Sequence, residues 1–242
     1  HLLLDIQQHT ALVTISNPPA NTWNADSLNG LIELVHELNA NRDIYALVLT
    51  GEGSKFFSAG ADLNMFADGD PAVARKMARL FGQAFETLTD FRGVSIAAIN
   101  GYAMGGGLEV ALACDVRIAE TQAQMALPEA TVGLLPCAGG TQNLPWLVGE
   151  GWAKRMILTG ERVDAQTAQR IGLVEEVVET GAAREAAIAM ALRVTTLSPQ
   201  AVTFSKQLIH QARNGVPRSA ASCRWPPSLT AFLPKGAWPL AA

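Results

Sequence analysis

Apolar residues occur along this chain in two patterns, short continuous runs and helical spacing. Together these patterns predict strands interleaved with helices. Short apolar runs predict strands at residues 2–6, 11–16, 45–50, 94–99, 115–119, 124–127 and 173–178. Apolar residues at helical spacing predict helices at residues 28–40, 71–90, 152–158, 164–170, 182–194 and 199–212. Asp26 is the expected cap of the first helix. Because the run at 45–50 is apolar throughout, we expect an α/β protein with a parallel or layered sheet.

The segment from Ile99 to Ala113 joins a strand exit, three glycines and the start of a helix. Free backbone N–H groups can converge on one point at such a helix start, which suits developing negative charge. Glu109 is the only charged residue in this segment. A carboxyl group in so apolar a setting tends to have a raised pKa and can exchange protons near neutrality.

A second isolated carboxylate follows 20 residues later. Glu129 is the only charged residue between Glu120 and Glu150, and it comes directly after Pro128. Two such groups are typical of a paired acid and base. The spacing alone leaves a structural role open, in which one carboxylate caps a helix or binds an arginine.

Small residues end the loop after the strand at 45–50. Ala59, Gly60 and Ala61 would let a ligand approach the backbone closely, so an exposed N–H here could supply a second hydrogen bond. Tight turns use the same residues. Nearby apolar side chains either pack in the core or line an acyl pocket; they are Met65, Phe66, Phe81 and Phe85.

Composition narrows the class of protein. The chain has 242 residues, 49% of them hydrophobic, and can bury a full core. A net charge of −4 without an early basic block argues against nucleic-acid binding. No apolar run approaches the ~20 residues of a membrane span, and the first residues do not resemble a signal peptide, so we expect a cytoplasmic protein without a membrane partner. The three cysteines lack metal-ligand spacing, so no metal site is expected.

Five motifs, in order along residues 3–215, resemble the crotonase superfamily, the enoyl-CoA hydratase/isomerase group. They are FSAGADL at 57–63, NGYAMGGGLE at 100–109 with CD at 114–115, LPE at 127–129 followed by Gly133, GGTQ at 139–142, and LTGE at 158–161 continuing to GLV at 172–174. The resemblance implies a crotonase-like spiral of ββα units with C-terminal helices, assembled as a homotrimer or a dimer of trimers.

The same resemblance divides the chain into three regions. Residues 1–180 form the core with the CoA-thioester site, and residues 181–215 form a C-terminal helical region. Residues 216–242 do not resemble the family's charged helical segment: prolines interrupt them, and no acidic residue follows Glu185. We therefore expect an irregular tail there.

Carried over to this chain, the resemblance implies that the N–H groups of Ala61 and Gly106 form an oxyanion hole for a thioester carbonyl. Glu109 and Glu129 match the family's two hydratase carboxylates, with Glu109 the expected base and Glu129 the expected proton donor. Further substrate-binding residues are implied at Ala59, Gly60, Asp62, Leu63, Gly105, Pro128 and Leu135.

These residues predict an enoyl-CoA hydratase, a lyase that adds water to a trans-2-enoyl-CoA and gives the 3-hydroxyacyl-CoA. No cofactor is expected, because CoA is part of the acyl-CoA substrate. Family members resembling isomerases generally lack the first glutamate, so the presence of both favours hydration. Isomerisation or another CoA-thioester reaction remains an alternative, as does a non-catalytic binding protein.

Overall fold

A computed structural model describes residues 1–66 and 69–213 of the chain. The strands are β1 (Leu2–Gln7), β2 (Thr10–Ile15), β3 (Ala46–Gly51), β4 (Phe56–Ser58), β5 (Val94–Ile99), β6 (Tyr102–Met104), β7 (Val116–Glu120), β8 (Gln124–Ala126), β9 (Val163–Asp164) and β10 (Glu176–Val178). The helices are α1 (Ala25–Ala40), α2 (Pro71–Thr89), α3 (Gly106–Ala113), α4 (Gly140–Leu158), α5 (Ala165–Ile171), α6 (Ala183–Thr195) and α7 (Pro199–Arg213). The predicted tail, residues 216–242, lies outside the described residues.

The strands form two sheets. A six-stranded sheet has the order β1-β2-β3-β5-β7-β10, with β1 antiparallel to β2 and the other pairs parallel. A four-stranded sheet has the order β4-β6-β8-β9, in which β4, β6 and β8 run parallel. Three successive strand pairs each place their first strand in the large sheet and their second in the small one. This repeat is the ββα spiral of the α/β class expected from the sequence.

The large sheet is covered on both faces. Leu47 and Leu49 of β3 face a core shared with α1 and α2, whereas Val48 packs in a second cluster with α6. That second layer meets the sheet through Ala183, Ala187 and Ala191, whose small side chains allow close approach. Burial on both faces explains why the β3 sequence is continuously apolar rather than alternating.

Two local predictions were wrong. The N-cap of α1 is Asn24 rather than Asp26: its side chain accepts from the Ser27 N–H at 2.9 Å, and the Ser27 hydroxyl accepts from the Asn24 N–H at 2.9 Å. This reciprocal pair is a capping box, and it leaves Asp26 in the first turn.

The strand predicted at 173–178 is confined to Glu176–Val178. Gly172 ends α5 with a φ of 81°, and the N–H of Leu173 donates to the Ala168 carbonyl at 2.8 Å. Leu173 is therefore buried as part of a helix C-cap, where an apolar residue after the glycine commonly packs back on the helix.

The chain separates into two compact units. The first, His1–Pro199, contains both sheets and every residue discussed as a site below, and the second begins at Gln200. The boundaries of the three regions predicted from the sequence stay predictions. In the described part of the chain, no helix combines the length and apolar character that crossing a membrane requires.

Candidate active site

Two small-residue turns meet at one edge of the four-stranded sheet. Strands β4 and β6 are parallel neighbours, so the turns that follow them leave the sheet at the same end. A Cβ placed on Gly60, which has a φ of 91°, would lie 2.6 Å from the Met104 carbonyl oxygen and 3.1 Å from the Gly106 nitrogen. Only glycine allows this approach, which brings the peptide preceding Ala61 against the start of α3.

Ala61 and Gly106 each present a free backbone N–H. Trp23 forms a parallel bridge with Ala61: the Trp23 N–H donates to the Gly60 carbonyl at 2.8 Å, and the Asp62 N–H donates to the Trp23 carbonyl at 2.9 Å. This pairing uses the flanking peptides and leaves the Ala61 N–H directed away from Trp23. Within residues 1–66 and 69–213, neither the Ala61 N–H nor the Gly106 N–H has an acceptor. Both donors are therefore available to a ligand oxygen.

Glu109 lies in the first turn of α3 and is 2% exposed. Its Oε1 accepts hydrogen bonds from the N–H groups of Ala138 at 2.8 Å and Gly140 at 2.9 Å. Burial raises the pKa of this carboxyl, and the backbone donors Gly140, Ala138 and Cys137 oppose the rise. One oxygen is thus fixed by the backbone before α4, which leaves Oε2 to exchange a proton.

Glu129 lies beside Gly105 and has a different environment. A Cβ on Gly105 would lie 3.3 Å from Glu129 Oε1, so glycine also makes room for this carboxyl. Both of its oxygens are buried, and neither has a hydrogen-bond partner among the described residues. Burial raises the pKa of Glu129 to about 7; its own N–H opposes the rise, and the charge of Glu109 adds to it. The result is a carboxyl that is half protonated near neutral pH.

The two residues with free N–H groups, Ala61 and Gly106, and the two glutamates line one cavity of about 280 Å³. It is lined by Ala61, Phe66, Ala74, Arg75, Ala78, Phe81, Gly106, Glu109, Glu129, Gly133, Leu134, Leu135 and Cys137. Both free N–H donors and both carboxylates therefore face a single, largely apolar space. Apolar surroundings strengthen hydrogen bonds to a developing oxyanion, because they screen charge less than bulk water does.

The remaining predicted substrate-binding residues take several places. Leu135 lines the cavity, and its side chain is 68% exposed. Gly60 allows the peptide before Ala61 to approach the Gly106 nitrogen, and Gly105 leaves room for the Glu129 carboxyl. The others flank the cavity: the Ala59 N–H donates to the Ala20 carbonyl, Asp62 accepts from Asn64, Leu63 lines a neighbouring cavity, and the Pro128 carbonyl accepts from Thr131. Their contacts with substrate stay predictions.

The sequence left two alternatives, core packing or an acyl pocket, for Met65, Phe66, Phe81 and Phe85. Phe66 and Phe81 line the cavity, whereas Phe85 is 1% exposed and packs edge to face against Trp23 and Phe81. Met65 packs against the core. The acyl-pocket interpretation therefore stays a prediction for Phe66 and Phe81, and Phe81 also belongs to the buried core, as Phe85 does.

Most of the chain matches one family model. Residues 5–222 match the family model described as enoyl-CoA hydratase/isomerase. The chain belongs to the enoyl-CoA hydratase/isomerase family.

Individual family members resemble the chain over most of its length. It is 40% identical over 215 residues to the 2,3-dehydroadipyl-CoA hydratase of Escherichia coli, covering 88% of this chain and 82% of the relative. It is 38% identical over 212 residues to the short-chain-enoyl-CoA hydratase of Clostridium acetobutylicum, covering 87% and 81%. The solved structure of Pseudomonas aeruginosa DspI is 71% identical, with a TM-score of 0.88 over 89% of this chain and 88% of that one.

Within this enoyl-CoA hydratase/isomerase site, sequence reasoning missed the groups that hold Glu109. The N–H donors of Ala138 and Gly140 come from the turn into α4, about thirty residues after the carboxylate. The Gly139-Gly140 pair was the available signal, although it indicates only a helix start. Trp23 was also missed as the residue whose backbone orients Ala61.

Cys137 is a further cavity residue that the sequence did not indicate. Burial, together with the charges of Glu109 and Glu129, raises the pKa of its thiol to about 12, although part of the residue is exposed. The thiol therefore stays protonated at neutral pH. Since the thiolate is the reactive form, Cys137 does not suit a nucleophilic role.

Proposed function

We propose that this chain is an enoyl-CoA hydratase, which adds water across the double bond of a trans-2-enoyl-CoA and yields the 3-hydroxyacyl-CoA. The observation that carries the proposal is the convergence of two free N–H donors and two buried carboxyls on one cavity. Relatives whose names specify enoyl-CoA hydration, at 38–40% identity, support the same reaction.

The N–H groups of Ala61 and Gly106 are the proposed oxyanion hole. Hydrogen bonds from both to the thioester oxygen draw electrons from the double bond and make C3 electrophilic. When water adds at C3, negative charge moves to that oxygen as an enolate forms, and the same donors stabilise it. A preorganised donor of this kind contributes about 3 kcal/mol to lowering the barrier.

The environments of the two carboxyls assign their roles. Glu109, with Oε1 held by two backbone donors, is the base that takes a proton from water through its other oxygen. Neither carboxyl oxygen of Glu129 has a hydrogen-bond partner among the described residues. Its pKa of about 7 keeps a proton available near neutral pH. Glu129 therefore donates a proton to C2. Because the two carboxyls interact, their titrations belong to the pair rather than to either residue.

The reaction consumes water and changes no oxidation state overall, so it needs no redox cofactor. The oxyanion hole performs the polarisation that a Lewis-acid metal would otherwise supply. CoA enters as part of the substrate. The homo-oligomeric assembly and the cytoplasmic location inferred from the sequence remain predictions of the same proposal.

The direct test mixes the purified protein with crotonyl-CoA, a short trans-2-enoyl-CoA, and follows the conjugated enoyl-thioester absorbance. We expect rapid loss of absorbance and formation of 3-hydroxybutyryl-CoA. A matched 3-enoyl-CoA serves as the control for isomerisation. Formation of the 2-enoyl product from this control, with no hydration of crotonyl-CoA, would contradict the proposal.

A further inference from the structure

A row of three buried aromatic rings connects the two segments that carry the free N–H groups. Trp23, Phe85 and Phe81 are 0%, 1% and 3% exposed. The ring centroids of Trp23 and Phe85 lie 5.6 Å apart and those of Phe85 and Phe81 lie 5.7 Å apart, with interplanar angles of 73° and 88°. Both pairs have the edge-to-face arrangement that aromatic rings prefer, so each ring fixes the orientation of the next.

Each end of this aromatic row contacts one of the two donor segments. At one end, the backbone of Trp23 forms the bridge that orients the Ala61 N–H. At the other end, Phe81 lies so close to Gly106 that a Cβ there would be 3.1 Å from Phe81 Cε1. Phe81 and Phe85 are four residues apart on α2, so one helix holds both rings on the same face.

The two donor segments also touch each other directly, through the close approach of Gly60 to the Met104 carbonyl and the Gly106 nitrogen. Two segments that touch at one place can still rotate about that place. A second connection removes this freedom, and the aromatic row supplies one. Fixed orientation matters here, because an oxyanion hole works only when both donors are directed at the same oxygen before the reaction begins.

Hydrogen bonding does not explain why a tryptophan occupies position 23. The indole Nε1 of Trp23 is buried and has no acceptor among the described residues. A buried donor without a partner destabilises the folded protein, and a phenylalanine would avoid this cost. The size of the indole ring and its contact with Phe85 are therefore what the position requires.

We propose that Trp23 and Phe85 are positioning residues, which act through Phe81 to keep the N–H groups of Ala61 and Gly106 directed at one thioester oxygen. Neither Trp23 nor Phe85 is among the described residues that line the catalytic cavity, so neither acts by touching the substrate. Phe81 does line it, and its substitution would mix the two effects. This inference rests on the proposed hydration.

The test measures how strongly the bound thioester carbonyl is polarised in Trp23→Phe and Phe85→Leu. Butyryl-CoA with carbon-13 at its carbonyl is bound to each protein, and the carbonyl stretch is recorded by infrared difference spectroscopy. The intact protein should lower the stretching frequency relative to the free thioester in water. Both variants should return it part of the way. With crotonyl-CoA, kcat should fall about tenfold with a smaller change in KM, which is less than the 10²–10³-fold loss expected when a donor is removed outright.

Ile118→Val is the matched control, because Ile118 is buried in the separate cluster that packs with α6. Thermal melts should show that it loses stability as the row variants do, while its carbonyl frequency and kcat stay at the wild-type values. An unchanged frequency in both row variants, or an equal shift in Ile118→Val, would overturn the proposal. The infrared measurement needs binding without turnover. A lowered frequency without crotonyl-CoA hydration would therefore contradict the hydratase alone, whereas hydration with unshifted row variants would contradict the role of the row.

Discussion

At the scale of single residues, Glu109 and Glu129 differ in what their oxygens contact. Glu109 has one oxygen fixed by the N–H groups of Ala138 and Gly140. The carboxyl oxygens of Glu129 are buried without such donors, and its pKa rises to about 7. Two carboxyls in unequal environments can share a single proton and pass it through water and substrate. This asymmetry is what the mechanism requires.

The shared proton leads to a prediction about pH. In the proposed mechanism, hydration starts with the proton on Glu129 and dehydration starts with it on Glu109, so both directions need the pair to carry one proton. Because the folded-state pKa of Glu129 is raised to about 7 from the ordinary 4.5, that proton is lost as the pH rises through about 7. We expect kcat/KM to fall above that pH equally in both directions, since the overall reaction exchanges no net proton.

Initial rates with crotonyl-CoA and with 3-hydroxybutyryl-CoA, measured across this interval in a constant-ionic-strength buffer, check the prediction. A denaturation control at each pH excludes unfolding as the cause. Activity that rises through pH 7 would show that the doubly ionised pair is the active form.

At the scale of secondary structure, the turn into α4 fixes the carboxylate of Glu109, the proposed base. Gly140 donates its N–H to Glu109 Oε1 and has no room for a side chain: a Cβ there would lie 2.8 Å from that oxygen and 3.0 Å from Leu127 Cδ1. The start of α4 is therefore matched to the carboxylate on α3. The two helices support the site together, although 31 residues separate the donor from the acceptor.

Gly140→Ala should consequently displace the Glu109 carboxylate from its backbone donors. We expect kcat to fall about 10- to 100-fold, corresponding to the loss of one hydrogen bond to a charged group. Gly151→Ala is the control on the same helix, since a Cβ at Gly151 has nothing within 4 Å. Steady-state kinetics and thermal melts of both variants test this, and equal activity of the two would contradict the assigned role of the turn.

At the scale of the whole molecule, Arg117 joins two neighbouring strands of the large sheet, β7 and β10, whose residues lie far apart in the sequence. It is 3% exposed and donates to the carbonyls of Cys114 and Leu173 at 2.9 Å, while its guanidinium pairs with Glu175. These contacts hold the segment before β10 against the start of β7. The arginine therefore satisfies buried carbonyls as well as a charge.

Arg117→Met should lower the free energy of unfolding by about 2–4 kcal/mol, because it leaves these buried acceptors without donors. Arg155→Met removes an ion pair to Glu161 whose side chains are 54% and 32% exposed, and it should cost less than about 1 kcal/mol. Urea denaturation of the two variants measures the difference. Similar losses in both would show that Arg117 contributes no more than a surface ion pair.

The sequence predicted those features that depend on nearby residues. The spacing of apolar positions located most helices and strands, and the isolation of Glu109 among glycines and apolar residues indicated a carboxyl with a raised pKa. The start of α1 was misplaced because two nearby residues, Asn24 and Asp26, both suit an N-cap. Only Asn24 forms the reciprocal pair with Ser27.

Features that depend on the tertiary fold were not predictable from the pattern. The bridge between Trp23 and Ala61 joins segments 38 positions apart, and nothing in either segment specifies the partner. The roles of Ala61 and Gly106 come from the family resemblance and stay predictions; the two converging turns bring their free N–H groups to one cavity.

The most direct test of the central claim compares the intact protein with Glu109→Gln and Glu129→Gln in crotonyl-CoA hydration, with binding of butyryl-CoA, an unreactive saturated thioester, measured separately by calorimetry. Glutamine preserves shape and removes proton exchange. We predict that each substitution lowers kcat by at least about a hundredfold, the scale of general acid–base catalysis, while the affinity for butyryl-CoA changes little. Hydration near the wild-type rate in either variant, with binding intact, would contradict the account of a paired acid and base.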